Sequence, residues 1–115
     1  MLCDDDPGIT AVLKEGLNDA GFTVDTFNDA KAALSEFRKG KYSVIILDEI
    51  MPGMDGIALY QLVRRNDPGV RIFFVTSYET AVKRALPDLQ DDFILEKPVS
   101  VKHLIHIMKE ATGRL

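Results

Sequence analysis

The chain has 115 residues, the length of one domain, and 46% of them are apolar, which is enough for a packed core and argues against disorder. Its formal net charge is −4 and no basic stripe is visible, so we expect no direct binding of nucleic acid. The single cysteine, Cys3, excludes an intrachain disulfide bond. No apolar run has the roughly 18 residues of a membrane span, and no signal-peptide pattern begins the chain, so we expect a cytoplasmic protein with no membrane contact.

The first half of the chain alternates between the hydrophobic periods of strands and helices. In chain order, we predict a short strand before Asp4, a helix at 7–20 ended by Gly21, a strand at 22–27 and a second helix ended by Gly40. Asn28 or Asp29 is the predicted N-cap of that second helix.

The second half continues the alternation. Two continuous apolar runs, "SVIIL" at 43–47 and "RIFFV" at 71–75, predict strands that are covered on both faces. The other predicted elements are a helix at 56–66, a short helix at about 78–86, a strand at 92–96 and a last helix capped by Ser100. Five strand–helix repeats predict an α/β fold, a parallel sheet with helices on both faces.

Acidic residues follow two of the predicted strands. Asp4, Asp5 and Asp6 come after strand 1, and Asp48 comes after strand 3. In a doubly wound sheet with the strand order 2-1-3-4-5, these two strand ends are neighbours at the crevice where ligands bind. Crowded carboxylates repel one another unless a cation joins them, and Mg²⁺ prefers oxygen ligands. The pattern therefore predicts a Mg²⁺ site.

Two further polar residues follow the remaining strands. Thr76 ends strand 4 and offers a hydroxyl, and Lys97 follows strand 5 and offers an ammonium group. A phosphoryl group held between Mg²⁺, an ammonium and a hydroxyl has its charge stabilised, which is most of the catalytic work of phosphoryl transfer.

Four segments in this order resemble the receiver domain of two-component response regulators. They are "CDDDP", "ILDEIMPGMDG", "FFVTSY" and "LEKPV", and the resemblance covers essentially the whole chain. It implies a flavodoxin-like fold of the receiver type. We expect a single domain over residues 1–115 with no output domain in this chain, which is either a single-domain regulator or the receiver piece of a longer protein. Strand 1 departs from the family pattern, because only three residues precede Asp4 where receivers usually have several more.

The resemblance also implies the roles of the site residues. Asp48 is expected to accept a phosphoryl group from a sensor histidine kinase, with Lys97 and Thr76 contacting the phosphoryl oxygens. The expected Mg²⁺ ligands are Asp4, Asp5, Asp48 and the backbone carbonyl of Ile50. Such a protein is not an enzyme beyond its own phosphorylation and dephosphorylation.

Phosphorylation is expected to switch the face built from helix 4, strand 5 and helix 5, and so to act on an output domain or a downstream protein target. A homodimer is also possible. At the position three residues before Lys97, where the family often has an aromatic residue, this chain has Ile94, and Phe93 precedes it. One step along a strand reverses the side chain, so the usual aromatic switch is in doubt.

Several alternatives stay open on the sequence. A pseudo-receiver would act as an interaction module without phosphorylation, and the fold also supports unrelated enzymes. Asp6 and Asp55 fit helix caps better than chemistry, and Glu49 fits a surface acid. His103 and His106 lie outside the apolar face of the last helix and are expected to be exposed.

Overall fold

The computed structural model describes residues 1–48, 51, 54–89 and 93–113. Strands and helices alternate throughout the described ranges. In chain order they are β1 (Leu2–Cys3), α1 (Pro7–Asp19), β2 (Thr26–Phe27), α2 (Ala30–Glu36), β3 (Val44–Leu47), α3 (Gly56–Asn66), β4 (Arg71–Thr76), α4 (Glu79–Ala85), β5 (Ile94–Glu96) and α5 (Val101–Thr112). Among the described residues, no helix is both long enough and apolar enough to cross a membrane.

The strands form one parallel sheet in the order β2-β1-β3-β4-β5. This confirms the predicted α/β fold, the strand order and the short first strand. Leu2 of β1 is in register with Ile46 of β3. Because all strands run the same way, those that end at Cys3, Leu47 and Thr76 finish on one side of the sheet, which we call the carboxyl edge.

The sheet is covered on both faces, which explains its continuous apolar runs. Along β3, Ile45 and Leu47 belong to one buried cluster, and Val44 and Ile46 belong to the other. The first cluster also takes residues from α2, α3 and α4, and the second takes residues from α1 and α5. Successive side chains point to opposite faces, so a strand buried on both sides needs an apolar residue at every position.

Two predicted boundaries differ from the structure. β2 covers Thr26–Phe27, not 22–27, although Phe22 and Val24 are buried in the core. Their alternation therefore reflects burial of one face without ladder pairing. α2 ends at Glu36 because Phe37 adopts extended backbone and buries its ring, and the predicted end at Gly40 is instead a turn residue with φ of 79°.

Helix caps account for several polar residues. Asp6 caps α1, since its Oδ1 accepts hydrogen bonds from the backbone N–H groups of Gly8 and Ile9. Asp29, not Asn28, caps α2. Asp55 caps α3 and Ser100 caps α5, as the sequence predicts.

Ile94, the first residue of β5, and Phe93, which precedes it, lie on opposite faces of the sheet. Ile94 is buried in the cluster that contains α2, α3 and α4. Phe93 is half-buried on the other face, and its ring centroid lies 5.0 Å from that of Phe73. An aromatic ring is therefore present next to the usual switch position, but on the opposite face.

Candidate functional site

Asp4 and Asp48 lie side by side at the carboxyl edge. Each directly follows its strand, and the two strands are neighbours. The backbone N–H of Asp48 donates to the carbonyl of Cys3 at 2.9 Å, and that of Asp4 donates to the carbonyl of Phe27 at 3.1 Å. These ladder bonds fix both backbones, and both acidic residues are buried.

Lys97 bridges the two buried carboxylates. Its Nζ lies 3.0 Å from Oδ2 of Asp48 and 3.1 Å from Oδ2 of Asp4. Its backbone N–H donates to the carbonyl of Thr76 at 2.8 Å, which ties it to the end of β4. Burial lowers the pKa of Lys97, but hydrogen bonds and charges from Asp48 and Asp4 outweigh that effect and leave its pKa raised. The ammonium form is therefore stabilised here.

Three carboxylates of the site form a cluster that could hold a metal ion. Asp4, Asp5 and Asp48 each offer one ligand atom, and these atoms lie within 4.8 Å of one another. Burial raises the pKa of Asp4, while a hydrogen bond from the backbone of Asp6 and the nearby Lys97 oppose that rise. The oxygen donors suit a hard divalent cation. Asp6 stays outside the cluster because its carboxylate is used as the cap of α1.

A hydrogen-bond network that the sequence did not suggest supports Asp4. The side-chain amide of Asn28 donates to the backbone carbonyl of Asp4 at 2.8 Å and to Oγ1 of Thr10 at 3.0 Å. Thr10 is buried, and its hydroxyl donates to the carbonyl of Pro7 at 3.1 Å. The sequence does place Asn28 directly after a predicted strand, but the same position is explained equally well by an N-cap of the second helix.

Thr76 is fully buried at the end of β4. Its Oγ1 accepts a hydrogen bond from the backbone N–H of Tyr78 at 2.8 Å. Tyr78 is the residue that precedes α4, so the hydroxyl at the site also contacts the start of that helix. The predicted position of Thr76 at the carboxyl edge agrees with this geometry.

One predicted ligand and one predicted surface acid lie outside the described residues. They are Ile50, expected to offer its backbone carbonyl to Mg²⁺, and Glu49. Asp48 and Asp55, on either side of this segment, are described.

An apolar cleft of about 480 Å³ lies beside the site. Asp4, Asp48 and Lys97 line part of it, and α1 contributes Ile9 and Val12, which are 38% and 60% exposed. An apolar surface of this kind next to charged groups is typical of a binding cleft.

Comparison with known families matches residues 1–109 to the family described as "Response regulator receiver domain". With the five-stranded sheet and the acidic cluster described above, this match establishes the class of protein. The chain belongs to the receiver domain family of two-component response regulators.

Individual relatives agree with that membership. The chain is 30% identical over 107 residues to the transcriptional regulatory protein TrcR of Mycobacterium tuberculosis, covering 91% of this chain and 41% of that protein. It is 28% identical over 107 residues to the response regulator receiver protein CpdR of Brucella abortus, covering 92% of this chain and 89% of that one. The CheY-like receiver domain structure from Methanospirillum hungatei superposes with a TM-score of 0.88 at 24% identity, covering 98% of this chain and 91% of that one, which supports the fold.

These relatives differ in how much of their length the chain matches. It spans less than half of TrcR and most of CpdR. The receiver domain is thus the part that they have in common with this chain.

Proposed function

We propose that this chain is a phosphoacceptor, and that Asp48 takes a phosphoryl group from a phosphohistidine of a sensor histidine kinase. A carboxylate oxygen of Asp48 attacks phosphorus, and a P–O bond forms as the P–N bond breaks. The electron pair of that bond goes to the imidazole nitrogen. The observation that carries the proposal is the position of the Asp48 carboxylate, 3.0 Å from the Lys97 ammonium and inside the three-carboxylate cluster.

The proposed Mg²⁺ ligands are Asp4, Asp5, Asp48 and the backbone carbonyl of Ile50. Three carboxylate oxygens within 4.8 Å of one another are a donor set that fits a hard divalent ion. When bound, Mg²⁺ supplies positive charge that offsets the repulsion between the acids and the phosphoryl oxygens.

The chain's own residues do the rest of the work. Lys97, already in contact with Asp48, contacts a phosphoryl oxygen once that group is attached. The Thr76 hydroxyl donates a hydrogen bond to another, after rotating from its present position near Tyr78. Because Thr76 contacts the start of α4, its rotation alters the face formed by α4, β5 and α5.

The biological setting follows from the same proposal. The chain acts in the cytoplasm as one receiver domain over residues 1–115, without direct contact with nucleic acid or membrane. Its partners are the sensor kinase and a downstream target or output domain, and a homodimer is a possible active form. It is not an enzyme beyond its own phosphorylation chemistry. The joint presence of Asp4, Asp5, Asp48 and Lys97 works against a pseudo-receiver.

The test is phosphorylation by acetyl phosphate, followed by intact mass spectrometry with and without MgCl₂. We expect a Mg²⁺-dependent gain of one phosphoryl group in the wild-type protein and none in Asp48→Asn. Asp55→Asn is the matched control, because it makes the same change at a carboxylate that caps α3, and it should gain the group normally.

Two results contradict the proposal. One is a folded wild-type protein that gains no phosphoryl group. The other is a gain that persists in Asp48→Asn, which would move the phosphoacceptor to a different residue.

A further inference from the structure

The side chain of Asn28 joins three segments of the chain around the acidic cluster. Its amide nitrogen contacts the carbonyl of Asp4, which directly follows β1, at 2.8 Å, and Oγ1 of Thr10, in the first turn of α1, at 3.0 Å. Asn28 itself follows β2. A backbone carbonyl can only accept, so the nitrogen rather than the oxygen of the amide faces it, and each of its two protons has an acceptor.

We infer that Asn28 is a positioning residue for the metal-binding acids and thereby sets the affinity of the site for Mg²⁺. The inference rests on the proposed function. Asn28 touches neither the metal nor the phosphoryl group, and it acts through the backbone between Asp4 and Asp5.

The mechanism follows from the planarity of the peptide bond. The carbonyl of Asp4 and the N–H of Asp5 belong to one rigid peptide unit. A hydrogen bond to that carbonyl therefore orients the backbone of both acids at once. Asp4 has further restraints, because Lys97 contacts its Oδ2 and the Asp6 N–H donates to its Oδ1 at 3.0 Å. The Asp5 carboxylate is exposed, so its position depends more on the backbone.

The other end of the network is firmly placed. Thr10 is 3% exposed, and its hydroxyl donates to the carbonyl of Pro7 while accepting from Asn28. The loop from Asp4 to Pro7 is thereby held at both ends, with Asp5 between them. Groups that orient metal ligands in this way typically alter metal affinity when they are removed.

Asn28 and Asp29 are neighbours with different hydrogen-bonding roles: Asn28 donates and Asp29 accepts. Asp29 accepts from the backbone N–H of Ala32 and caps α2. Asn28 donates to a carbonyl and a hydroxyl, which a carboxylate has no proton to do. Asp29→Ala is therefore a matched control: it removes a neighbouring local hydrogen bond without touching the acidic loop.

The experiment is a MgCl₂ titration of the whole chain, followed by NMR of the backbone amides, which needs no phosphorylation. We expect Asn28→Ala to raise the Kd for Mg²⁺ about tenfold, the low end of the range for groups that orient metal ligands. We expect Asp29→Ala to leave the Kd within about twofold of the wild-type value while lowering the Tm, since a lost cap affects the helix and not the loop.

A second readout separates positioning from general damage. With acetyl phosphate, the Mg²⁺ concentration for half-maximal phosphorylation should rise by the same factor in Asn28→Ala, while the rate at saturating Mg²⁺ is kept. If Asn28→Ala does not fold, Thr10→Val carries the test, because it keeps the shape of Thr10 and removes the oxygen that accepts from Asn28. Its Kd should also rise, and Thr10→Ser should restore the wild-type value.

The outcomes distinguish this inference from the proposal beneath it. If the wild-type protein binds Mg²⁺ and a folded Asn28→Ala binds it equally well, the positioning role is wrong and the phosphoacceptor proposal stands. If the wild-type protein shows no Mg²⁺ binding, both are wrong. An equal loss of affinity in Asp29→Ala would also overturn the inference, since the effect would then be a general loosening of the β2–α2 connection.

Discussion

Two ammonium groups lie at opposite ends of the strands, and their surroundings shift their pKa values in opposite directions. Lys97, at the carboxyl edge, contacts the carboxylates of Asp4 and Asp48, and its pKa is raised. The terminal amine of Met1 lies at the other side of the sheet, which we call the amino edge (Met1, Asp25, Tyr42 and Val44). It donates to the carbonyl of Val44 at 3.1 Å, and burial lowers its pKa to about 6.

The two pKa values shift in opposite directions because different partners replace water around the two amines. A carboxylate close to an ammonium offsets much of the cost of removing both from solvent, whereas a carbonyl dipole offsets less. Asp25 raises the pKa of Met1 through its charge, but the effect of burial is larger. The carboxyl edge therefore keeps its charge at neutral pH, and the amino edge favours the uncharged amine.

The largest expected effect concerns the amino edge. The Met1 amine has an ordinary pKa of 8.0 and a folded value of about 6, so between these values the unfolded chain binds more protons. Stability should therefore rise with pH, most steeply between pH 6 and pH 8, by roughly 2–3 kcal/mol in total at ~1.4 kcal/mol per pKa unit. Urea unfolding across this range measures it, in a background with His103→Gln and His106→Gln so that neither imidazole contributes.

The control for this prediction is a chain with two residues added before Met1. The extension turns the amine into an amide that cannot titrate, so the rise between pH 6 and 8 should disappear. A pH dependence that survives the extension would assign it to a different group, and a flat profile in the unextended chain would remove the contrast between the two edges.

The second effect concerns the carboxyl edge. Lys97→Met leaves two buried carboxylates without their ammonium, and we expect a loss of about 2 kcal/mol at pH 7 without Mg²⁺. This is below the range for fully buried pairs, because the Lys97 side chain is 23% exposed. MgCl₂ should recover part of the loss, since a cation can replace the ammonium.

Lys83→Met is the matched control for that variant. Lys83 pairs with Glu79 at 2.8 Å on the surface of α4, where the two side chains are 40% and 38% exposed. We expect a change below about 0.5 kcal/mol in urea unfolding, because exposed pairs contribute little. Equal losses in the two lysine variants would mean that the carboxyl edge gains nothing from its buried pairing.

The smallest expected effect is that of Tyr42→Phe. The Tyr42 hydroxyl donates to Oδ2 of Asp25 at 2.7 Å, and burial together with that carboxylate raises the pKa of Tyr42. Removing the hydroxyl should cost about 0.5–1 kcal/mol in urea unfolding. Tyr78→Phe, at a ring that is 56% exposed, should cost less. A loss in Tyr42→Phe that is larger than this range would mean that the amino edge, like the carboxyl edge, depends on a contact with a charged group.

Much of the carboxyl edge could be predicted because its signals are local. A strand that is apolar at every position and then meets Asp48 identifies both the sheet and the residue at its end. The same applies to Thr76. Which of the three neighbouring acids is a cap also follows from spacing, since Asp6 directly precedes Pro7 at the start of α1.

The unpredicted features depend on contacts between distant parts of the chain. Asn28 is 24 residues from Asp4 and 18 from Thr10, and nothing local distinguishes a donor to those groups from a helix cap. The early end of α2 depends on burial of Phe37, and the lowered pKa of Met1 depends on its position between β2 and β3. The hydrophobic period of an element predicts which of its faces is buried, but it does not predict which residues from other parts of the chain contact that face.

The contact between Thr76 and Tyr78 gives the molecule a spectroscopic reporter. No side chain caps α4 at Tyr78, and the Tyr78 amide proton is held by the hydroxyl of a fully buried threonine. If that hydroxyl turns to a different rotamer, the amide loses its acceptor and becomes free to exchange with solvent. The exchange rate of the Tyr78 amide proton therefore measures the orientation of the Thr76 hydroxyl, although the Thr76 side chain is itself fully buried.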